Sequence, residues 1–257
     1  MARTILSRND AELIGKAIET YGKVVNTEEL LKIFQSQYCK TSAYSRIHIL
    51  FKNGWFIRIK QGLYLINDSI TGHFQGDLPF LVISQCLFEE SYVSLAYSLH
   101  YHKLVELLPE TITIISSQLS KKFVFQSYTF TIAKVKPEIY FGYHTVEQEK
   151  RTVQIADPEK ALLDYLYVVP NFTNPEFFLG PIKKYKELID LEKLQQYALR
   201  FSSTVRRKAG FLLDILHIDT KQLHASLKES HGHAKMTKDS NQFNAKWRVY
   251  YEPDIIT

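Results

Sequence analysis

The hydrophobic period changes abruptly within the first quarter of the chain, and this change restricts the fold more than any other feature. Up to residue 53 apolar residues recur at helical spacing. From 54 to 66, in GWFIRIKQGLYLI, two short runs alternate like strands around Gly62. A period near 3.6 followed by a period of 2 requires helices first and a hairpin after them.

The helical part resolves into three stripes. In residues 9–21, Leu13, Ile14, Ala17, Ile18 and Tyr21 share one face, and Gly22 is a natural stop. Asn26 can cap a second helix with Glu29 three residues on, and Leu30, Leu31 and Phe34 form its inner face. In residues 41–53, Ala43, Ile47, Leu50 and Phe51 make a third stripe that Asn53-Gly54 ends. Three short helices and a hairpin within about 65 residues is the order of a winged helix-turn-helix.

The third stripe has a polar reverse side. Ser42, Ser45, His48, Ile49 and Lys52 lie opposite the apolar face, with Tyr44 and Arg46 at the edges. Short donors near a helix start can approach base edges, and flanking cations can hold phosphates. In the hairpin, a two-residue turn at Gln61-Gly62 pairs Ile57 with Ile66 and Ile59 with Tyr64 on a packing side. It pairs Arg58 with Leu65 and Lys60 with Leu63 on a cationic side. Ser42, Tyr44, Ser45, Arg46, His48, Lys52, Arg58 and Lys60 are therefore the expected DNA-binding residues. Gln is a poor first residue for a type I′ turn.

Charge is distributed accordingly. Residues 1–72 hold ten Lys/Arg and six Asp/Glu, a net +4 of the chain's +5. A local basic excess suits a polyanion. With 257 residues, 45% apolar and 23% charged, two domains are the default. The polar stretch 67–79 reads as a linker between residues 1–72 and 73–257. Beyond it, LPFLVISQCLF and SYVSLAYSLHYHKL look helical, while TITIIS, FVFQSYTFTIAKV and RTVQIA alternate like strands. Asp157-Pro158 opens a helix that buries Ala161, Leu162, Tyr165 and Leu166. Helices near 190–201 and 203–217 follow, the latter capped by Ser203, and KWRVYYE is a last strand. Strands flanked by helices without strict alternation give an α+β fold: a winged helix-turn-helix joined to a larger mixed α+β domain.

Other chemistry finds little support. No apolar run reaches the roughly 20 residues of a membrane helix, and the N-terminus lacks a secretory segment. Cys39 and Cys86 match no metal spacing or disulfide framework, which suits a cytoplasmic setting. Asp157, Glu159 and Lys160 superficially resemble a nuclease set. Contiguous residues at a helix start diverge, however, so capping and solvation are their expected roles. His100 and His102 face apart, and His231 and His233 lack further ligands. No metal, cofactor or catalytic residue is expected. Lys193, Arg200, Arg206, Arg207 and Lys208 can form one basic surface for RNA or an acidic partner. Cations at the first turns of a helix oppose its dipole.

Three stretches together resemble the AbiEi-type antitoxins of type IV toxin–antitoxin systems, found in abortive-infection modules. They are GWFIRIKQGLYLI, YVSLAYSLHYHKLVELLPETITIIS and VQIADPEKALLDYLY, in that order. The resemblance implies an N-terminal domain that binds inverted repeats in double-stranded operator DNA and represses its own operon. It implies a C-terminal domain that counteracts a nucleotidyltransferase-like toxin without requiring a stable complex, and no catalysis. Gly62 and Tyr64 match the family's wing, whereas Gln61 stands where a basic residue is common. The alternative is a winged-helix transcriptional regulator whose C-terminal domain senses a ligand.

Overall fold

The computed structural model describes residues 6–68, 78–169 and 174–255. The fold is mixed α+β, with ten α-helices and three sheets among the described residues. No helix among them is long and apolar enough to cross a membrane. The chain forms two compact units, residues 1–89 with 145–154, and residues 90–144 with 155–257.

The first unit begins with α1 (Arg8–Tyr21), β1 (Val24–Asn26), α2 (Thr27–Phe34) and α3 (Lys40–Lys52). The hairpin β2 (Phe56–Lys60) and β3 (Leu63–Ile66) follows, then α4 (Phe80–Leu87). Asn26 caps α2 as expected: its side chain accepts from Glu29 N at 2.9 Å, and Glu29 accepts from Asn26 N at 2.9 Å. The three apolar stripes meet in one core with Val25, Phe56 and Ile66. Each such fully buried side chain is worth roughly 1.5–3 kcal/mol. β1, absent from the sequence reading, pairs antiparallel with β3 and completes a sheet of order β1-β3-β2.

The hairpin differs from its expected register. A bulge lies between Arg58 and Lys60, so Arg58 stands opposite Tyr64, while Lys60 stands opposite Leu63 as expected. Ile57 meets Leu65 instead of Ile66, which lies opposite Phe56. One extra residue turns Ile59 into the core and leaves Ile57 half-buried. Gly62 has φ +77°, and Gln61 is not among the positive-φ residues. A type I′ turn, which needs both, is therefore not formed. The turn is instead held from outside, because Thr27 N donates to Gly62 O at 3.0 Å.

The expected linker falls mostly on residues 69–77, outside the described residues. The first unit runs past residue 72, and polar contacts account for its extent. Arg151 donates to Val24 O at 2.8 Å and Glu29 Oε2 at 2.6 Å. Lys60 reaches the last carbonyls of α4.

The second unit contains β4 (Tyr92–Ser94), α5 (Leu95–Tyr101), β5 (Thr111–Ser116), β6 (Lys121–Phe125) and β7 (Tyr128–Lys134). β8 (Tyr143–Gln148) and β9 (Arg151–Ala156) complete a sheet of order β6-β7-β5-β4-β9-β8, and residues 145–154 of these two strands cluster with the first unit. Then come α6 (Pro158–Val168), α7 (Glu176–Lys184), α8 (Leu191–Leu199), α9 (Ser203–Ile215) and α10 (Lys221–Ala225). A small sheet of β10 (Ala234–Lys235), β11 (Gln242–Asn244) and β12 (Val249–Tyr251) ends the unit.

SYVSLAYSLHYHKL is not one helix. Residues 92–94 are a strand, and Leu95, at φ +54°, turns the chain sharply into α5. Likewise FVFQSYTFTIAKV is two antiparallel strands, with Gln126 at φ +53° between them. α6 is buried nearly all round: Glu159, Lys160 and Asp164 are as inaccessible as Ala161 and Leu162, while Tyr165 is only half-buried. Ser202, one residue before the expected Ser203, caps α9. Asp157 stands at the N-cap of α6 without using its side chain there.

Candidate nucleic-acid interface

Helix α3 has the two-sided character that its sequence predicts. Ala43, Ile47 and Leu50 are buried, and Ser42, Tyr44, Ser45, His48, Ile49 and Lys52 are exposed. Ser42 Oγ lies 3.2 Å from the Cys39 thiol at the helix start. Ser45 Oγ donates back to Thr41 O at 3.1 Å. Tyr44, at 47% exposure, and His48 offer polar groups on apolar bodies.

A cleft of about 390 Å³ separates α3 from the hairpin, lined by Tyr44, His48, Phe51, Arg58, Gln61 and Tyr64, among others. Arg58 is exposed, and its guanidinium sits 4.6 Å from the centre of the Phe51 ring. Phe51 meets Tyr64 edge-on at 6.0 Å. Stacking on one face leaves the edge of the guanidinium, with its N–H donors, open to an anion.

Two of the expected DNA contacts are engaged elsewhere. Arg46 forms a two-pronged pair with Asp10, Nε to Oδ1 at 2.7 Å and Nη2 to Oδ2. Asp10 is 1% exposed. The Arg46 guanidinium holds the Asp10 carboxyl below its ordinary value, against the opposing effect of burial. This pair ties α3 to the start of α1. Lys60 donates to the carbonyls of Cys86 at 3.0 Å and Leu87 at 3.3 Å. It thereby caps α4, whose C-terminal dipole favours a cation. Of the expected cations, Arg58 and Lys52 remain at the surface and form no ion pair or side-chain hydrogen bond among the described residues.

The expected basic surface of the second unit is also largely used internally. Arg207 is 3% exposed and donates to Trp247 O at 3.1 Å and Ser230 O at 2.7 Å. Arg206 donates to Ser226 O at 3.0 Å. Lys208 is 5% exposed, and burial pushes its pKa down. Arg200 lies 3.4 Å from the centre of the Phe141 ring. Lys193 pairs with Asp157 and Glu159, each at 3.1 Å. Consecutive cations that looked solvated reach backbone carbonyls from later loops, which their own spacing could not disclose.

The same unit contains a polar centre that the sequence reading missed. Lys160 Nζ pairs with Asp164 and donates to Tyr92 OH at 2.8 Å. Tyr92 OH and Ser94 Oγ donate to Asp164 at 3.1 and 2.7 Å. The rings of Tyr92, Phe141 and Phe201 surround the ammonium. Burial pushes Asp164 up and Lys160 down, and the pair opposes both shifts. One turn away, Asp157 accepts from Tyr197 OH at 2.9 Å and lies 2.8 Å from His144 Nδ1. Burial raises Asp157, but His144, Tyr197 and Lys193 outweigh it and hold the carboxyl low. Thus Lys160 turns inward while Asp157 and Glu159 meet on Lys193, and Glu159 is buried rather than solvated. Among the described residues no group of three or more His, Cys, Asp or Glu side chains could hold a metal ion.

No known family profile matches the chain, and neither does any curated protein. Among solved structures, the crystal structure of the RV2827C protein from Mycobacterium tuberculosis is similar, with a TM-score of 0.67. The match covers 98% of this chain and 94% of that one at 12% identity. At that identity the likeness concerns the fold alone.

Proposed function

We propose that the chain is a DNA-binding antitoxin of a type IV toxin–antitoxin system. Its N-terminal winged helix represses its own operon, and its C-terminal domain counteracts a nucleotidyltransferase-like toxin. The observation that carries the DNA-binding half is α3 itself. It is anchored through Ala43, Ile47 and Leu50 and exposes Tyr44, Ser45, His48 and Lys52 beside the Arg58 cleft. The element order helix, strand, helix, helix, strand, strand supports the winged-helix reading. Short hydroxyl and imidazole groups reach base edges while Arg58 and Lys52 hold phosphates on either side. The antitoxin half rests on the ordered resemblance of the three stretches quoted above.

A band shift with the DNA upstream of the chain's own gene tests the first half. Specific retardation that survives competitor DNA is expected, and binding no tighter to upstream than to random duplex would refute it. Growth rescue on co-expression with a neighbouring toxin gene tests the second. Failure to rescue by a soluble, folded chain would refute it.

A further inference from the structure

The first unit contains a second cavity, of about 490 Å³, on another side of the hairpin turn. Its walls are the turn at Lys60–Leu63, the end of α4 around Gln85, Cys86 and Glu89, and Lys150 of the β8–β9 turn with Arg151 and Thr152 at the start of β9. Three cationic side chains, Lys60, Lys150 and Arg151, and one carboxylate, Glu89, line it, and Arg151 also pairs with Glu29 at 2.6 Å.

The cations are only partly satisfied. Lys60 Nζ meets backbone carbonyls, which leave its charge uncompensated. Arg151 uses Nη2 on Val24 O and Glu29, but its Nε is buried without a hydrogen-bond partner among the described residues. A buried donor left unpaired is costly, and an acceptor brought to it removes that cost. Lys150 forms no ion pair among the described residues, and it sits at φ +62° after Glu149 at φ +46°. A two-residue turn with both central φ values positive favours Asn or Gly, so lysine is a strained choice there. Burial raises the thiol of Cys86 and keeps it neutral, so it does not repel an anion.

Gln61 and Gly62 line this cavity and also the cleft between α3 and the hairpin. One turn therefore forms part of both walls. We propose that the cavity is an effector site for a small phosphate-bearing anion, sensed by the hairpin turn. The site stands on the cavity's own chemistry. Only its effect on DNA rests on the operator-binding reading. A phosphate group supplies several acceptor oxygens and more than one charge, which matches two ammonium groups and a guanidinium with a spare N–H.

The test uses the full chain, with pyrophosphate as the probe, in calorimetric titration at fixed ionic strength. Wild type should bind saturably. Lys150→Asn should bind about tenfold or more weakly, since it removes one charge from the lining. Because Asn suits the positive-φ position, this variant should melt no lower than wild type. Absence of saturable binding, or equal binding by Lys150→Asn, overturns the proposal. Citrate binding as tightly as pyrophosphate overturns the phosphate assignment.

Band shifts on upstream DNA form the second arm. Pyrophosphate should move the midpoint by about fivefold or more, the range of ordinary coupling between sites, and an unmoved midpoint overturns the coupling. If Lys150→Asn weakens DNA binding without any added anion while calorimetry detects no pyrophosphate, the cavity holds DNA backbone and the proposal fails. A chain that binds pyrophosphate but not upstream DNA refutes the operator reading and leaves the site standing.

Discussion

Lys160 and Asp164 are one helical turn apart on α6, both without solvent exposure, and their charged groups pair with each other. Tyr92 and Ser94 from β4 both donate to the other carboxylate oxygen. Removing one partner strands the other charge in a dry site, which typically costs about 3–5 kcal/mol. Asp164→Ala is therefore expected to lower stability by about that much in urea unfolding of the full chain. The double variant Lys160→Met/Asp164→Leu should cost clearly less than the two single changes summed. Strict additivity would mean that the groups do not interact.

Arg58 and Lys60 separate into two roles. Arg58→Ala should weaken operator binding and reduce the salt slope by about one unit, as expected for one lost phosphate contact. Lys60→Ala should leave that slope unchanged and lower stability by about 0.3–1 kcal/mol through the uncapped end of α4. Salt titrations of the two variants distinguish the roles, and equal slopes would remove the distinction.

Asp10 makes part of the stability depend on acid. Its folded carboxyl titrates below the ordinary value of 3.8 because of Arg46. Between the two values the unfolded chain binds the extra proton, so stability rises with pH there. The contribution is fully present above the unfolded value and is lost as pH falls through the lower, folded one. Thermal melts of wild type and Asp10→Asn should converge as pH falls through and below 3.8. A gap that stays constant with pH would exclude this ion pair as its source.

Gly210 lies against Trp247, and a Cβ there would collide with the indole ring. Trp247 is fully buried, and its Nε1–H donates to Asp214 at 2.7 Å. Gly210→Ala is expected to destabilise by about 1–3 kcal/mol, typical of overpacking. Red-shifted tryptophan emission and faster proteolysis after residue 230 would report the displaced segment. An unchanged emission maximum together with unchanged melting would show that the ring has room.

Helices α1, α2 and α3 were legible because each has an uninterrupted apolar stripe and a cap or stop signal. β1 was not, since Val24–Asn26 is too short to show a period. The bulge at Arg58–Lys60 was equally hidden: alternation predicts facing pairs, but an inserted residue leaves no mark in composition. α6 is legible as a helix, yet Glu159 and Lys160 looked solvated and nothing in the sequence singled out Asp164. A charged pair at i, i+4 is usually a surface feature, and only the partners 70 residues upstream make burial tolerable. Arg206, Arg207 and Lys208 misled for a similar reason, because the carbonyls that receive the two arginines come from residues 226–247.

The Asp164 cluster also orders events during synthesis. Tyr92 and Ser94 leave the ribosome about 70 residues ahead of the carboxylate that they bond. At roughly 5–20 residues per second the interval is several seconds. Through it β4 can already pair with β5, but the Tyr92 and Ser94 hydroxyls lack the carboxylate that accepts from them until α6 has emerged. The hydroxyls of β4 and the charge of α6 thus become satisfied in one late step, so the interior of the second unit is sealed only after its first strand has long been made.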